Sequence, residues 1–283
     1  MDDILLKMNS QHVTLLVMLD LSTAFDTENE KILLDRLQCN IGISGVPLQW
    51  FNSYLSNRSQ RIAAQRTLSR LFDLGCGVPQ DSCLGPLLYV IYASKLFNII
   101  ERHHLDAHCY ADDSQLYLSF RPSDGLSSQT NAIQAMERRI EDVRNWLVSD
   151  RLLLNDEKTE FLLISTCQQL AKVDLLPLRV GTMDIEPVNC IRNLHAWFDL
   201  LLSMETHINK VCSSGFYYLH NLRKIRYLSQ DCLVTLINAF VTSRLDDCNS
   251  LMYGLAQCKK FQNYREYRTL LLVLLLTLVN SAT

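Results

Sequence analysis

The chain has 283 residues, 48% hydrophobic and 20% charged, with 9 Gly and 6 Pro. That balance excludes collagen-like, low-complexity and wholly disordered chains, and the length suffices for one large domain or two small ones. The formal charge is −3, from 27 Lys+Arg against 30 Asp+Glu, so a polyanionic partner has to be met by a local patch.

Val13 to Leu19 is an uninterrupted apolar run that stops at Asp20. This is the pattern of a central strand covered on both faces, with the carboxylate at its C-terminal end. Thr27-x-x-Glu30 has capping-box spacing ahead of Ile32, Leu33, Leu34 and Leu37, so a helix starts there. A second helix follows Ser44-Gly45, with Pro47 near its first turn and Leu48, Phe51 and Leu55 on one face. Two strands, about 60–65 and 70–76, flank a polar turn rich in Arg58, Arg61, Arg66 and Arg70. Those arginines read either as a solvated hairpin or as a phosphate-contacting patch. Gly77-Val78-Pro79-Gln80 is a loop, and a long helix then carries Leu84, Leu87, Leu88, Ile91 and Ile99 inward, with Pro86 in its first turn.

Ala107 to Phe120 reads as a hairpin around Ala111-Asp112-Asp113, its second arm alternating at strand period. Ile133, Met136, Ile140, Val143 and Leu147 form a helical stripe. Phe161 to Ile164 is a strand, 178–185 a hairpin turning at Gly181-Thr182, and Cys190 to Phe198 a further strand. Beyond Ser203 the pattern is helical, through Ile208, Val211, Leu219, Leu222, Leu233, Ile237 and Phe240. The expected organisation is a mixed α/β (α+β) unit over 1–200, a small helical unit over 201–256, and an apolar tail over 257–283. Ten residues, Leu270 to Val279, span about 15 Å as a helix, half of a ~30 Å hydrocarbon core, so no transmembrane span is expected. Lys259, Lys260, Arg265 and Arg268 before that run leave surface association open. The ten cysteines are scattered without a C-x-x-C pair, and the N-terminus has no long apolar stretch. These features predict reduced thiols and an intracellular place, cytoplasm or nucleus.

Two apolar strands thus deliver carboxylates to their ends: Asp20 from one, Asp112 with Asp113 from a hairpin turn. Adjacent acids repel, and a divalent cation relieves them. Oxygen-only ligands favour a hard ion, Mg²⁺ or Mn²⁺, and two such ions about 3.5–4 Å apart clamp a phosphoryl-type displacement. By spacing alone, adjacent aspartates on a turn are more often an ordinary polar turn. His103, His104, His108 and Cys109 lack a second ligand pair at structural-zinc spacing, and zinc is not expected. Trp50, Trp146 and Trp197 read as core from their apolar neighbours.

Four ordered phrases carry more weight. Leu19-Asp20-Leu21-Ser22-Thr23-Ala24-Phe25-Asp26 resembles the first catalytic motif of reverse transcriptases. Residues 77–86, GVPQDSCLGP, resemble the second, and Tyr110-Ala111-Asp112-Asp113 the signature turn. Leu154-Asn155-Asp156-Glu157-Lys158-Thr159-Glu160 resembles the next motif of non-LTR, LINE-type (jockey-like) retrotransposon polymerases, and the resemblance runs from about Val13 to Gly254. It implies a polymerase palm with a mixed or antiparallel sheet and packed helices, followed by a thumb-like helical unit. The implied activity is RNA-directed DNA polymerisation on an RNA template and DNA primer, using deoxynucleoside triphosphates and two Mg²⁺ or Mn²⁺ ions.

By the same resemblance, Asp20, Asp112 and Asp113 hold the metals and the carbonyl of Leu21 completes a shell. Phe25 gates the 2′ position, Gln80 touches the nucleotide's sugar, and Lys158 reaches the triphosphate as a general acid. Arg58, Arg61, Arg66, Arg70, Lys210, Arg223, Lys224 and Arg226 are the candidate nucleic-acid contacts. The resemblance also has departures. Asp81 stands where the family usually has glycine, His195 replaces a glycine in a later strand, and only nineteen residues precede Asp20. These predict an N-terminally truncated copy, short of fingers and endonuclease, with impaired synthesis. A catalytically dead nucleic-acid-binding relic that keeps the palm is the alternative. Another palm-type nucleotidyl transferase or cyclase explains neither Gln80 nor Lys158. Oligomeric state is not legible.

Overall fold

The computed structural model describes residues 2–22, 24–64, 66–79, 82–102, 106–110, 113–122, 126–225, 228–248 and 251. The chain forms two compact units, Met1–Pro187 and Val188–Thr283.

In the first unit, α1 (Asp2–Asn9) leads into β1 (Val13–Leu19) and β2 (Leu21–Ser22), followed by α2 (Ala24–Thr27), α3 (Glu30–Cys39) and α4 (Val46–Leu55). Strands β3 (Arg58–Gln60), β4 (Ala63–Ala64), β5 (Thr67–Leu68) and β6 (Phe72–Leu74) form a broken hairpin, with β3–β6 as its outer pair and β4–β5 as its inner pair. Next come α5 (Gly85–Arg102), the hairpin β7 (Asp106–Tyr110) and β8 (Asp113–Phe120), and α6 (Leu126–Ser149). The unit closes with β9 (Leu153–Leu154), a 3₁₀ turn at Asp156–Lys158, β10 (Glu160–Ile164), α7 (Cys167–Leu170), and the hairpin β11 (Leu178–Val180) and β12 (Met183–Ile185).

The central sheet is four-stranded and antiparallel, in the order β10-β1-β8-β7. As the apolar run predicts, β1 lies inside it, and Val13, Leu15, Val17 and Leu19 are buried on one face. That face packs with the α6 stripe Ile133, Met136, Ile140, Val143 and Leu147, every member of which is buried, and with Leu88, Tyr92 and Leu96 of α5. Leu16 is buried on the opposite face, where pairing sets it beside Leu162 and Tyr117. Ladders to β10 on one side and β8 on the other hold the strand in register.

Several local expectations are corrected. The cap of α3 is Asn29, whose side chain accepts from the Lys31 and Ile32 N–H groups; the chain forms the short α2 through Thr27 instead of starting α3 there. Leu87 is exposed, because the inward stripe of α5 runs through Leu88, Tyr92 and Leu96 and leaves position 87 beside it. Trp50 is 53% exposed and stacks on Tyr54, off the packed face made by Leu48, Phe51 and Leu55.

In the second unit, β13 (Cys190–Asn193) and β14 (Ala196–Asp199) form a hairpin where a single strand was expected. The turn is made by Leu194 (φ 42°) and His195 (φ 73°), both in the region that glycine occupies without strain. Helix α8 (Glu205–Lys224), α9 (Gln230–Ile237), a π-turn over Asn238–Thr242 and α10 (Ser243–Asp246) follow. Ile208, Leu219, Leu222, Ile237 and Val241 make this unit's own core. Among the described residues no helix is long and apolar enough to cross a membrane. The apolar run Leu270–Val279 lies outside them.

Candidate active site

One end of the central sheet gathers three of the predicted side chains. The last β1–β8 pair is Leu19 with Ser114, so Asp20, one step further, is level with Asp113 at the start of β8. On the other side Met18 pairs with Glu160, and the chain before β10 carries Thr159 and Lys158. The Lys158 Nζ lies 3.3 Å from Asp20 Oδ2. That oxygen is buried and receives no hydrogen bond, so the contact is Coulombic.

The backbone explains why Lys158 arrives there. The Asn155 N–H donates to the Asp20 carbonyl at 2.9 Å, and Leu21 and Ser22 of β2 pair with Leu154 and Leu153 of β9. Thr159, buried, donates its hydroxyl to the Asn155 carbonyl and closes the 3₁₀ turn. Arg144 of α6 grips the carboxylate of Asp156 in the same turn. None of these supports was foreseen, although Thr159 lies inside the quoted motif and Arg144 lies one residue beyond the buried Val143.

Asp112 and Gln80 lie outside the described residues, as do Asp81 and the side chain of Phe25. Leu21 is buried at the β2–β9 pair. Among the described residues no three acidic, histidine or cysteine side chains gather as a metal cluster; the third predicted acid, Asp112, is not among them. What is described suits a hard cation: a buried carboxylate oxygen without a hydrogen bond, and a second carboxylate level with it across the strand pair.

The loop before α5 is anchored on both sides. Ser82 donates its hydroxyl to the Pro79 carbonyl at 2.7 Å and accepts from the Gly85 N–H at 3.0 Å. A Cβ at Gly85 would stand 3.2 Å from that hydroxyl, so any larger residue there would push Ser82 aside by a few tenths of an ångström. Arg58 turns inward, donating to the carbonyls of Leu55, Cys76 and Gly77 and lying 3.7 Å from Glu30. Its donors serve the main chain, which corrects its expected role as a phosphate contact. Arg61, Arg66 and Arg70 are exposed, with Arg70 over the Phe72 ring at 4.7 Å. Beside the loop lies Glu28, only 1% exposed, with both carboxylate oxygens lacking hydrogen bonds. Burial pushes its carboxyl up to about 8, against the pull of the Arg58 guanidinium.

In the second unit Lys210 is exposed and lies 5.3 Å from the Trp197 ring centroid, and Lys224 is exposed. The side chain of Arg223 and all of Arg226 lie outside the described residues.

No curated protein matches the chain. Among solved structures, telomerase from Candida tropicalis in complex with a TWJ fragment of telomeric RNA is similar at 12% identity and a TM-score of 0.49, over 99% of this chain and 46% of that one. A C-terminally truncated apo telomerase from Candida tropicalis gives 13% identity and a TM-score of 0.47, over 71% of this chain and 38% of that one. Telomerase from Candida albicans gives 11% and 0.42, over 99% and 51%. The chain thus spans about half, or less, of the length of these structures. The family model for "Reverse transcriptase (RNA-dependent DNA polymerase)" matches residues 2–232, most of the chain and all four quoted motifs. With an antiparallel palm-type sheet carrying its acids at one end, the chain belongs to the reverse transcriptase family.

Proposed function

We propose that the chain is the RNA-directed DNA polymerase domain of a LINE-type retrotransposon, transferring deoxynucleotides to a primer 3′-OH on an RNA template. The observation that carries this reading is the convergence of Asp20, Asp113 and Lys158 at one sheet end, from three stretches far apart in sequence. Asp20 and Asp113, with Asp112 of the turn, would hold two Mg²⁺ or Mn²⁺ ions. Those ions, when bound, supply the positive charge that stabilises the attacking alkoxide and the departing pyrophosphate.

The remaining work belongs to the chain. Lys158 releases Asp20 and presents its ammonium proton to the leaving pyrophosphate. Asn155 and Thr159 fix the turn on which Lys158 stands. Gln80 and Phe25 act on the nucleotide's sugar, and Leu21 offers a main-chain carbonyl. Arg61, Arg66, Arg70, Lys210, Arg223, Lys224 and Arg226 meet backbone phosphates, which set position while base pairing reads sequence.

A second reading, a nucleic-acid-binding relic, is favoured by Asp81, a carboxylate where the family usually has glycine, which would add bulk and negative charge next to nucleotide or template phosphates. Primer extension on an RNA template with Mg²⁺ or Mn²⁺ separates the two. Deoxynucleotide incorporation that is lost in Asp20→Asn and Asp112→Asn supports the polymerase. Salt-sensitive RNA binding without incorporation supports the relic and overturns the first reading.

A further inference from the structure

The second unit holds a cavity of about 780 Å³, of whose lining the polymerase reading uses Lys210 alone. That volume falls within the range of about 300–1,000 Å³ typical of small-ligand sites. Three cations reach it from three elements: Arg192 of β13, Lys210 of α8 and Arg244 of α10. No carboxylate pairs with any of them among the described residues; Lys210 lies over Trp197, and Arg244 lies over Tyr218 while donating to its hydroxyl at 3.2 Å. Two acids also line the space: Asp247, 3.4 Å from the His195 ring, and Asp246. Three cations against two carboxylates leave the lining with a positive surplus.

The second observation is His207. It lines the cavity and is only 1% exposed, yet neither ring nitrogen has a hydrogen-bond partner. An unmet buried polar group costs about 1–3 kcal/mol, and a neutral imidazole offers one donor and one acceptor. Burial holds this imidazole below its usual range, against the pull of Asp247, and so keeps it neutral near pH 7. A ligand that brings several acceptor oxygens would satisfy both the ring and the surplus cations. A phosphate monoester does so, with close to two charges at neutral pH and three terminal oxygens.

We propose that this cavity binds a phosphate monoester, carried either by a free nucleotide or by the phosphorylated 5′ end of a nucleic-acid strand. The proposal is independent of the chemistry at the sheet end of the first unit. An internal phosphodiester, with a single charge, is a weaker match.

Isothermal titration of the full chain in EDTA, which silences divalent-dependent nucleotide binding elsewhere, tests it. Deoxycytidine monophosphate should bind about tenfold or more tightly than deoxycytidine, the effect of one charge-assisted hydrogen bond. Arg192→Gln and Arg244→Gln should each weaken that binding about tenfold, as loss of one such bond would. Both side chains are exposed, so the variants should melt with the parent. A short oligonucleotide with a 5′ phosphate that competes better than the monophosphate identifies a strand end as the source; one that competes no better identifies the free nucleotide. Equal binding of nucleoside and nucleotide, or unchanged binding in both arginine variants, would each overturn the proposal.

Discussion

Arg36–Asp150 and Lys158–Asp20 are both ion pairs of the first unit, at 2.5 and 3.3 Å, and they do opposite things. The Arg36 side chain is 0% exposed and sits between the rings of Tyr92 at 4.8 Å and Trp146 at 5.9 Å. Away from water it has one carboxylate, and its Nε and Nη1 have no hydrogen bonds, so exchanging that partner would strand a charge. The Lys158 side chain is 67% exposed, and its contact with Asp20 is easily exchanged for water, a metal-bound carboxylate or a phosphate. Burial makes the first pair a fixture of the fold; exposure leaves the second available for chemistry.

The largest effect is expected at the buried pair. Asp150→Asn leaves Arg36 without its countercharge and should cost about 3–5 kcal/mol in urea denaturation. A loss under ~1 kcal/mol would show that Arg36 reaches water and would erase the contrast.

Glu28 sharpens the comparison as a buried carboxyl whose oxygens accept no hydrogen bond. Its folded carboxyl, near 8, stands above the ordinary 4.5, so the folded state binds more protons across that interval. Stability contributed by the protonated form is present at low pH and falls as pH rises from about 4.5 to about 8, with a slope of up to ~1.4 kcal/mol per pH unit. Glu28→Val should remove that slope and raise stability at pH 8 by roughly 2 kcal/mol, the transfer value of a buried aliphatic side chain. Melting curves at pH 5 and pH 8 check both.

Arg144–Asp156 is the intermediate case, with the arginine 23% exposed. Gly181 has φ of +60°, and a Cβ there would stand 2.6 Å from Arg144 Nη2. Gly181→Ala should therefore cost about 1–2 kcal/mol from backbone strain and from pushing Arg144 off Asp156. In an Asp156→Ala background the cost should shrink toward the strain alone, which a double-mutant cycle measures.

Lys158→Ala should have the smallest stability cost, under ~1 kcal/mol, as for exposed pairs. Primer extension should nevertheless fall about 10²-fold or more, the usual worth of a general acid, while RNA affinity stays unchanged. A large stability loss with unchanged extension would make the pair structural.

Elements whose signal is a one-dimensional period were readable in advance. The apolar run of β1, the alternation of β8 and the stripe of α6 each appear where their patterns place them, since each is a property of one contiguous segment. The motif order was equally readable. Features decided by distant neighbours were not. Arg58 looked like the other hairpin arginines until the carbonyls of Cys76 and Gly77 came within its reach. Trp50 looked like core until α4 turned Leu48, Phe51 and Leu55 inward, and Glu28 was an unremarked acid in a helical approach until the loop before α5 closed beside it.

The sequence by itself determined the family, the apolar strand that ends in Asp20 and the helices that cover the sheet, because patterning and motif order are local properties of the chain. Only the tertiary structure decided that Asp20 stands level with Asp113 and within 3.3 Å of Lys158, since strand register joins residues about ninety and a hundred and forty positions apart. It likewise decided which charges are sealed in and which can change partners, because desolvation is set by everything packed around a side chain, which no segment of sequence specifies alone.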